Sequence, residues 1–170
     1  ATFLVRPKEG DDPARALRFG MTAAGVAAAV MTFLLVKWAF PVNGVTVGQG
    51  QSTTHYGQLG PFVAAFGGVV AGTLIGLITE YYTSYDYSPV REIAEESETG
   101  TAPTLIAGLA LGMWSTGIPV ILIVIAIGVA YWQSGLYGIA LAALGMLATT
   151  GIQLAVDAFG PIADNAGGIA

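Results

Sequence analysis

The chain has 170 residues, of which 54% are hydrophobic and only 10% are charged, and its formal net charge is −5. A soluble domain usually carries about a quarter charged residues, so this composition excludes an ordinary water-exposed surface and indicates a lipid environment. The negative charge argues against nucleic-acid binding, which needs a basic face. Without cysteine and with a single histidine, the chain offers no disulfide, no thiol chemistry and no cysteine or histidine metal site.

Four apolar stretches are long enough to cross a bilayer. They cover residues 16–40, 61–82, 103–132 and 135–159. Each reaches the length of about 20 residues that a hydrocarbon core of about 30 Å requires, and backbone inside that core has to be helical. The pattern predicts an all-α transmembrane helix bundle with four spans in one transmembrane region. Gly117 and Pro119 predict a kink in the third span, and Gln133 and Ser134 form a tight turn before the fourth.

The distribution of basic residues predicts the orientation. Four of the six basic residues precede or begin the first span: Arg6, Lys8, Arg15 and Arg18. Arg91 lies in the charged connection of residues 83–102. Because cytoplasmic segments are enriched in Lys and Arg, we expect both segments to be cytoplasmic and, with four spans, the C-terminal end as well. Lys37, near the outer end of the first span, can reach the interface by snorkelling.

The two longer connections differ in charge. Residues 41–60 carry no charged side chain, and we interpret His55 there as solvated rather than as a ligand. Residues 89–98 are predicted to form a short helix whose acidic face is a solvated surface. The second span also contains small residues at a spacing typical of close helix packing in membranes. These residues are Gly67, Gly68, Gly72 and Gly76.

Asp157 and Asp164 are the strongest candidates for chemistry. A spacing of seven is about two helical turns, so both carboxylates face approximately one direction, although Gly160 and Pro161 can bend the helix between them. Mg²⁺ bound with phosphate substrates commonly uses one or two carboxylates plus water. The metal makes the approach of phosphate favourable and stabilises charge on its oxygens. The alternative is that both residues merely mark a helix end at the membrane interface.

Glu80 is the second candidate, because it ends an otherwise uncharged span and is followed by Tyr81 and Tyr82. One interpretation is an interfacial belt, in which a polar residue and aromatic rings lie at the level of the lipid headgroups. The other is a carboxylate that lines a polar cavity at the cytoplasmic mouth of the bundle. The pattern alone leaves both interpretations open.

Three motifs resemble one protein family. TEYYT covers residues 79–83, YSPVREIA covers residues 87–94, and DAFGPIADNAGGIA covers residues 157–170. Together they resemble the membrane-bound pyrophosphatases, which are proton or sodium pumps driven by inorganic pyrophosphate. The resemblance extends well over residues 78–170, and over residues 1–60 mostly through hydropathy.

The resemblance implies a larger protein with about sixteen spans that works as a homodimer. It implies hydrolysis of Mg²⁺-pyrophosphate in a cytoplasmic funnel, coupled to the pumping of protons or sodium, and leaves room for K⁺ as a further cofactor. By that likeness Asp164 helps to bind Mg²⁺-pyrophosphate, and Asp157 lines the same site or the polar path below it. Glu80 completes the catalytic set as a carboxylate near the cytoplasmic end.

Other parts of the family's pattern are missing from these residues. The 170 residues lack the lysine- and aspartate-rich pyrophosphate motifs of the family, some of which position the attacking water. They also lack the final acidic–lysine motif and the positions that set K⁺ dependence. The chain starts without an initiator Met and stops within a motif, so we expect a fragment that is inactive alone. The residues that select the ion are expected elsewhere; protons are the default expectation and sodium stays open.

Two other functions are compatible with the hydropathy and the acidic residues. A secondary transporter also has carboxylates at cytoplasmic helix ends and broken helices, but it needs neither pyrophosphate nor Mg²⁺. A structural membrane subunit has no site of its own, and in it Asp157 and Asp164 tolerate replacement by Asn. Hydropathy cannot separate these functions, so the length of the shared motifs favours the pump.

Overall fold

A computed structural model describes residues 13–49 and 52–169. In chain order its elements are α1 (Pro13–Ala39), β1 (Val45–Gln49), β2 (Ser52–Tyr56), α2 (Gly60–Thr83), α3 (Ser88–Thr99), α4 (Thr101–Ser115), α5 (Gly117–Leu147) and α6 (Thr150–Ile169). The predicted all-α class is confirmed, because helices carry most of the described residues. The two strands form one short antiparallel hairpin between α1 and α2.

α2 and the C-terminal arm of α5 pack with their backbones in direct contact. A Cβ atom at Gly68 would overlap the backbone of Ala142, and a Cβ atom at Gly145 would overlap the backbone of Ala65. Only glycine leaves room for this approach. In lipid, where apolar surface gains little from leaving its surroundings, such close packing and weak Cα–H···O contacts hold helices together.

The same interface fixes the relative direction of the two helices. Four residues after Gly68, a Cβ atom at Gly72 would lie 3.3 Å from the Met146 Cα atom. At the start of α2, Gly60 lies against the Gln133 carbonyl. The paired residue numbers therefore rise together from 60 and 133 to 72 and 146, so α2 and this arm of α5 run parallel. The predicted packing role of Gly68 and Gly72 is confirmed. Gly67, by contrast, has no atom within 4 Å of its Cβ position.

α5 bends sharply at Ser134 and Gly135, next to the turn that the sequence predicts at Gln133 and Ser134. The backbone angles are φ −154° and ψ 22° at Ser134, and φ 60° and ψ −147° at Gly135. The positive φ favours glycine, because an L side chain is strained there. Beyond the bend Gly138 lies against the carbonyl of Ala130, a residue that would be about 12 Å away along a straight helix. The two arms of α5 therefore fold against each other.

The predicted number of spans is wrong. Among the described residues, three helical stretches are long and apolar enough to cross a membrane: Phe19–Ala39, Gly60–Thr99 and Thr101–Leu147. The third stretch continues past the predicted end of the third span, and a turn at Ala148 and Thr149 divides the predicted fourth span, residues 135–159, between α5 and α6. The α5 part, residues 135–147, rises only about 20 Å, which is less than a hydrocarbon core of about 30 Å.

Thr116 alone separates α4 from α5, three residues before Pro119. Proline has no amide proton, so Pro119 cannot donate to the Ser115 carbonyl, and the helical ladder is weakened there. Just before this point, the Ser115 and Thr116 hydroxyls donate to the carbonyls of Gly112 and Met113, each at 2.8 Å. The helix is therefore interrupted where Pro119 predicts a kink.

A buried glutamine joins the end of α1 to the start of α2. Gln58 Nε2 donates to the Phe40 carbonyl at 2.8 Å, and Gln58 Oε1 accepts from Lys37 Nζ at 3.4 Å. The Lys37 ammonium also lies 5.9 Å from the centroid of the Phe33 ring, which meets Phe62 edge to face. Lys37 therefore has specific polar and aromatic partners at this end of the molecule.

The uncharged connection of residues 41–60 contains a hairpin that the sequence analysis did not predict. β1 and β2 pair antiparallel, with Thr46 opposite His55. The strands are rich in valine and threonine, which favour extended backbone. The Tyr56 hydroxyl lies against Gly135, so the hairpin packs over the bend in α5. His55 is exposed, as its interpretation as a solvated residue requires.

The core is small and consists of alanines. Ala64 of α2 and Ala130 and Ala142 of the two α5 arms are 1–4% exposed and cluster together. In the part of the chain that the structure describes, no large side chain is fully buried. Only 11% of the most apolar window of Thr101–Leu147 is buried, so most of its surface is left for lipid or for other helices.

Replacing Gly68 by valine is expected to force α2 away from α5, because the new side chain has to displace the backbone of Ala142. Overpacking of this kind typically costs about 1–3 kcal/mol. We therefore expect a lower melting temperature for the detergent-solubilised full-length protein, followed by loss of its monodisperse size-exclusion peak on heating.

Gly67→Val is the matched control for that experiment. It introduces the same β-branched side chain into the same helix, one position away, where no atom lies within 4 Å of the Cβ position. Equal destabilisation by the two variants would contradict the assignment of Gly68 to the helix contact.

Candidate functional site

The last turn of α2 carries Glu80, the acidic residue that the sequence singles out in this helix. Glu80 is half-buried, and its backbone carbonyl accepts a hydrogen bond from the Ser84 amide at 2.8 Å. The Thr79 and Thr83 hydroxyls donate to carbonyls four residues earlier, at 2.9 and 2.8 Å. These local bonds satisfy the polar groups of an apolar helix. The helix backbone that carries Glu80 is therefore hydrogen-bonded up to the end of α2.

Tyrosine rings gather around the same helix end. The Tyr81 ring lies 5.1 Å from the Tyr82 ring and 5.2 Å from the Tyr87 ring, measured between centroids. Tyr85, in the turn between α2 and α3, is 69% exposed. Aromatic side chains with a polar tip are typical of the membrane–water interface. The rings agree with the belt interpretation of Glu80 and are compatible with the cavity interpretation.

Arg91 folds back from α3 onto the turn that follows α2. Its Nε donates to the Tyr85 carbonyl at 3.0 Å, and its guanidinium carbon lies 5.8 Å from the centroid of the Tyr85 ring. In the sequence Arg91 is a marker of orientation, and this contact was not predicted. The available signal was that no other basic residue follows Lys37 in the chain.

α3 confirms the helix that the sequence predicts over residues 89–98. It begins at Ser88, with Pro89 in the first turn, where a missing amide proton is tolerated. Val90 and Ile93 are half-buried. The acidic side chains are exposed, as predicted for a solvated surface: Glu92, Glu95, Glu96 and Glu98.

Asp157 and Asp164 both belong to α6. The helix runs from Thr150 to Ile169 and contains Pro161, so positions 157 and 164 share one helical face and are about 10 Å apart along the axis. The side chains of these two residues lie outside what the structure describes, and their roles stay predictions. α6 contacts α1 as well as following directly from α5.

The described side chains do not form a metal site by themselves. Among them, no group of three or more His, Cys, Asp or Glu residues is placed to hold a metal ion. One carboxylate on this helical face suits a Mg²⁺ ion that arrives with a phosphate substrate, since such an ion usually keeps several waters and takes only one or two carboxylates. A spacing of about 10 Å along the axis is too long for both carboxylates to bind the same ion.

An apolar groove of about 270 Å³ opens between α1, α2 and the C-terminal arm of α5. Apart from the hydroxyl groups of Thr32 and Tyr137, its lining side chains are apolar, and it contains no carboxylate. Such a lining fits a lipid chain or another helix and offers nothing to a phosphate or a metal ion. The groove is therefore separate from the candidate site.

Comparison with known proteins extends over the whole chain. The family profile described as "Inorganic H+ pyrophosphatase" matches residues 1–170. A "Putative K(+)-stimulated pyrophosphate-energized sodium pump" of Clostridium tetani is 46% identical, over 97% of this chain and 23% of that protein. A "K(+)-insensitive pyrophosphate-energized proton pump 2" of Moorella thermoacetica is 41% identical, over 98% of this chain and 24% of that protein.

A third relative, a "K(+)-stimulated pyrophosphate-energized sodium pump" of Thermotoga maritima, is 38% identical over 98% of this chain and 23% of its own length. The chain thus spans less than a quarter of the length of these curated relatives, in agreement with a fragment. The relatives differ in the ion that their names give and in their response to K⁺. What they share is that pyrophosphate drives an ion pump, and the chain belongs to the inorganic H⁺ pyrophosphatase family of integral, multi-pass membrane proteins.

Proposed function

We propose that the full-length protein hydrolyses Mg²⁺-pyrophosphate and uses the reaction to pump an ion across the membrane. The observation that carries this proposal is the match over residues 1–170, which includes the DAFGPIADNAGGIA segment on α6. We propose protons as the pumped ion, which is the default expectation from the sequence. Sodium is the alternative, because the relatives at 46% and 41% identity are named as a sodium pump and a proton pump, respectively. K⁺ stimulation and assembly as a homodimer belong to the same proposal.

In this proposal Asp164 and Asp157 act on the substrate through its metal. A carboxylate directed at bare pyrophosphate repels it, whereas a Mg²⁺ ion between the two makes the contact attractive. Asp164 holds the Mg²⁺ of the bound substrate, and Asp157, two turns earlier on α6, lines the same site or the polar path below it. The residues that hold the attacking water are expected in other parts of the protein.

Glu80 is proposed as a carboxylate at the cytoplasmic mouth of the same site. The packing of α2 supports this, because α2 and the C-terminal arm of α5 run parallel through the contact between Gly72 and Met146. Glu80 and the start of α6 both follow that contact, towards the same end of the molecule. The bend in α5 turns the chain back along α2, so the start of α6 lies towards the end of the molecule that carries Glu80.

The pump itself is tested with the full-length protein in inverted membrane vesicles that contain a pH-sensitive dye. We expect Mg²⁺ and pyrophosphate to acidify the lumen, and expect Asp164→Asn and Asp157→Asn to reduce both hydrolysis and acidification by at least about 100-fold, the usual cost of removing one charge-stabilising group. Glu80→Gln is expected to reduce the rates less, because it lies at the mouth. Glu95→Gln, on the exposed face of α3, is the control.

Other outcomes of that assay separate the alternatives. Hydrolysis that requires Na⁺ and produces no direct acidification identifies a sodium pump. A folded protein that does not hydrolyse pyrophosphate contradicts the proposed function and favours a secondary transporter. Full activity of Asp157→Asn and Asp164→Asn contradicts the proposed site while leaving the pump intact.

The orientation is tested by labelling, which is simple because these 170 residues contain no cysteine. Ser97 on α3 and Thr54 on β2 are both exposed and lie at opposite ends of α2. In an otherwise cysteine-free full-length protein, a membrane-impermeant maleimide should label Ser97→Cys but not Thr54→Cys in inverted vesicles. A permeant maleimide should label both, and labelling of Thr54→Cys alone by the impermeant reagent would reverse the orientation.

A further inference from the structure

Arg91 is the only basic residue after Lys37, and it lies on a helix whose exposed face is acidic. Glu95, one helical turn later, is at the spacing that favours an ion pair on a helix surface. Yet in the part of the chain that the structure describes, the guanidinium is not paired with a carboxylate; it turns back towards the preceding turn instead. Its position therefore needs an explanation other than the neutralisation of charge.

Among the described residues, the guanidinium has two contacts, both with Tyr85. Its Nε donates a hydrogen bond to the Tyr85 carbonyl oxygen at 3.0 Å, and its carbon lies 5.8 Å from the centroid of the Tyr85 ring. A planar guanidinium suits this combination, because it can donate in its plane while its face covers a ring. The ammonium of a lysine is also a donor and a cation, but it is not planar, so it cannot donate in a plane whose face covers the ring.

Tyr85 belongs to the turn between the end of α2 and the start of α3, the helix that carries Arg91. The Ser84 amide donates to the Glu80 carbonyl at 2.8 Å, and the Tyr87 amide donates to the Ser84 carbonyl at 3.2 Å. The Tyr87 ring also contacts the Tyr81 ring at 5.2 Å, next to Glu80. A hydrogen bond to the middle of this turn therefore restrains the direction in which α2 ends, and with it the backbone of Glu80.

We propose that Arg91 is a positioning residue for Glu80, and that it acts through its hydrogen bond to the Tyr85 carbonyl and not through its charge. The proposal rests on the function proposed above, because it assumes that the carboxylate of Glu80 takes part in that reaction. Arg91 itself touches neither substrate nor ion in this proposal. It fixes the angle between α2 and α3 at the cytoplasmic mouth.

Two substitutions separate the hydrogen bond from the charge. Gln places its amide nitrogen at the position of Arg Nε along the side chain, so Arg91→Gln keeps the donor and removes the charge. Lys has a methylene group at that position and carries its ammonium one bond farther out, so Arg91→Lys keeps the charge and removes the donor from the ε position. In the full-length protein we expect Arg91→Lys to lower pyrophosphate hydrolysis roughly three- to tenfold, the usual worth of one hydrogen bond, and Arg91→Gln to keep most of it.

A double-mutant cycle asks whether the effect passes through Glu80. If it does, Arg91→Lys has little further effect on the residual hydrolysis of Glu80→Gln, since residues that act as one unit are not additive. Additive losses would overturn the proposal, because they would show that Arg91 supports the fold independently of Glu80. Full activity of Arg91→Lys with loss of activity in Arg91→Gln would overturn it in favour of a role for the charge.

Amide hydrogen exchange tests the positioning role of Arg91 independently of pyrophosphate hydrolysis. We expect amides of the last turn of α2 and of the following turn, residues 80–87, to exchange about tenfold faster in Arg91→Lys than in Arg91→Gln or the unaltered protein. If the unaltered protein does not hydrolyse pyrophosphate, the proposed function fails while this exchange pattern still supports Arg91 as the residue that positions α2. Equal exchange in all three proteins overturns the positioning role.

Discussion

The structure depends on the direct contact between the backbones of α2 and the C-terminal arm of α5. Gly68 lies against Ala142, and Gly145 lies against Ala65. In water, large apolar side chains would supply most of the stability, but in lipid their burial against another helix gains little, and close packing has to replace it. This explains a core of alanines, with Ala64, Ala130 and Ala142 at its centre and with large apolar side chains turned outward.

The parallel direction of these two helices determines where the other elements lie. It requires α5 to bend at Ser134 and Gly135, so that its C-terminal arm can return along α2. The hairpin then covers the bend through Tyr56, and Gln58 ties the end of α1 to the same side of the molecule. At the opposite end the chain leaves α2 through the turn that Arg91 holds.

Much of this architecture follows from the sequence, because long uncharged apolar runs leave no alternative to helix in a bilayer. The runs in α1 and α2 were predictable in this way. The short helix α3 was predicted as a charged, solvated helix, and the packing of Gly68 and Gly72 was predicted from the spacing of small residues. The number of spans was not, because hydropathy does not register the turn at Ala148 and Thr149, which contains no proline, glycine or charge. The hairpin was also missed, although the valines and threonines of its strands favour extended backbone.

The candidate site was predictable to a different degree. Spacing alone left Asp157 and Asp164 as either metal ligands or a helix end, and only the length of the motif around them favoured the first interpretation. Glu80 stood out because a carboxylate is costly in an apolar helix. Arg91 could not be recognised from the sequence, since its partner is a backbone carbonyl six residues earlier, and every residue presents one.

The contact between α2 and α5 has a consequence for the synthesis of the protein. About 75 residues separate Gly68 from Ala142, so at typical translation rates α2 is exposed to the bilayer for roughly 4–15 s before its partner emerges. During that interval its glycine-lined face is open to any neighbouring helix that offers small residues. Until Ala142 emerges, this face of α2 can be covered only by lipid, by an earlier helix or by another membrane protein.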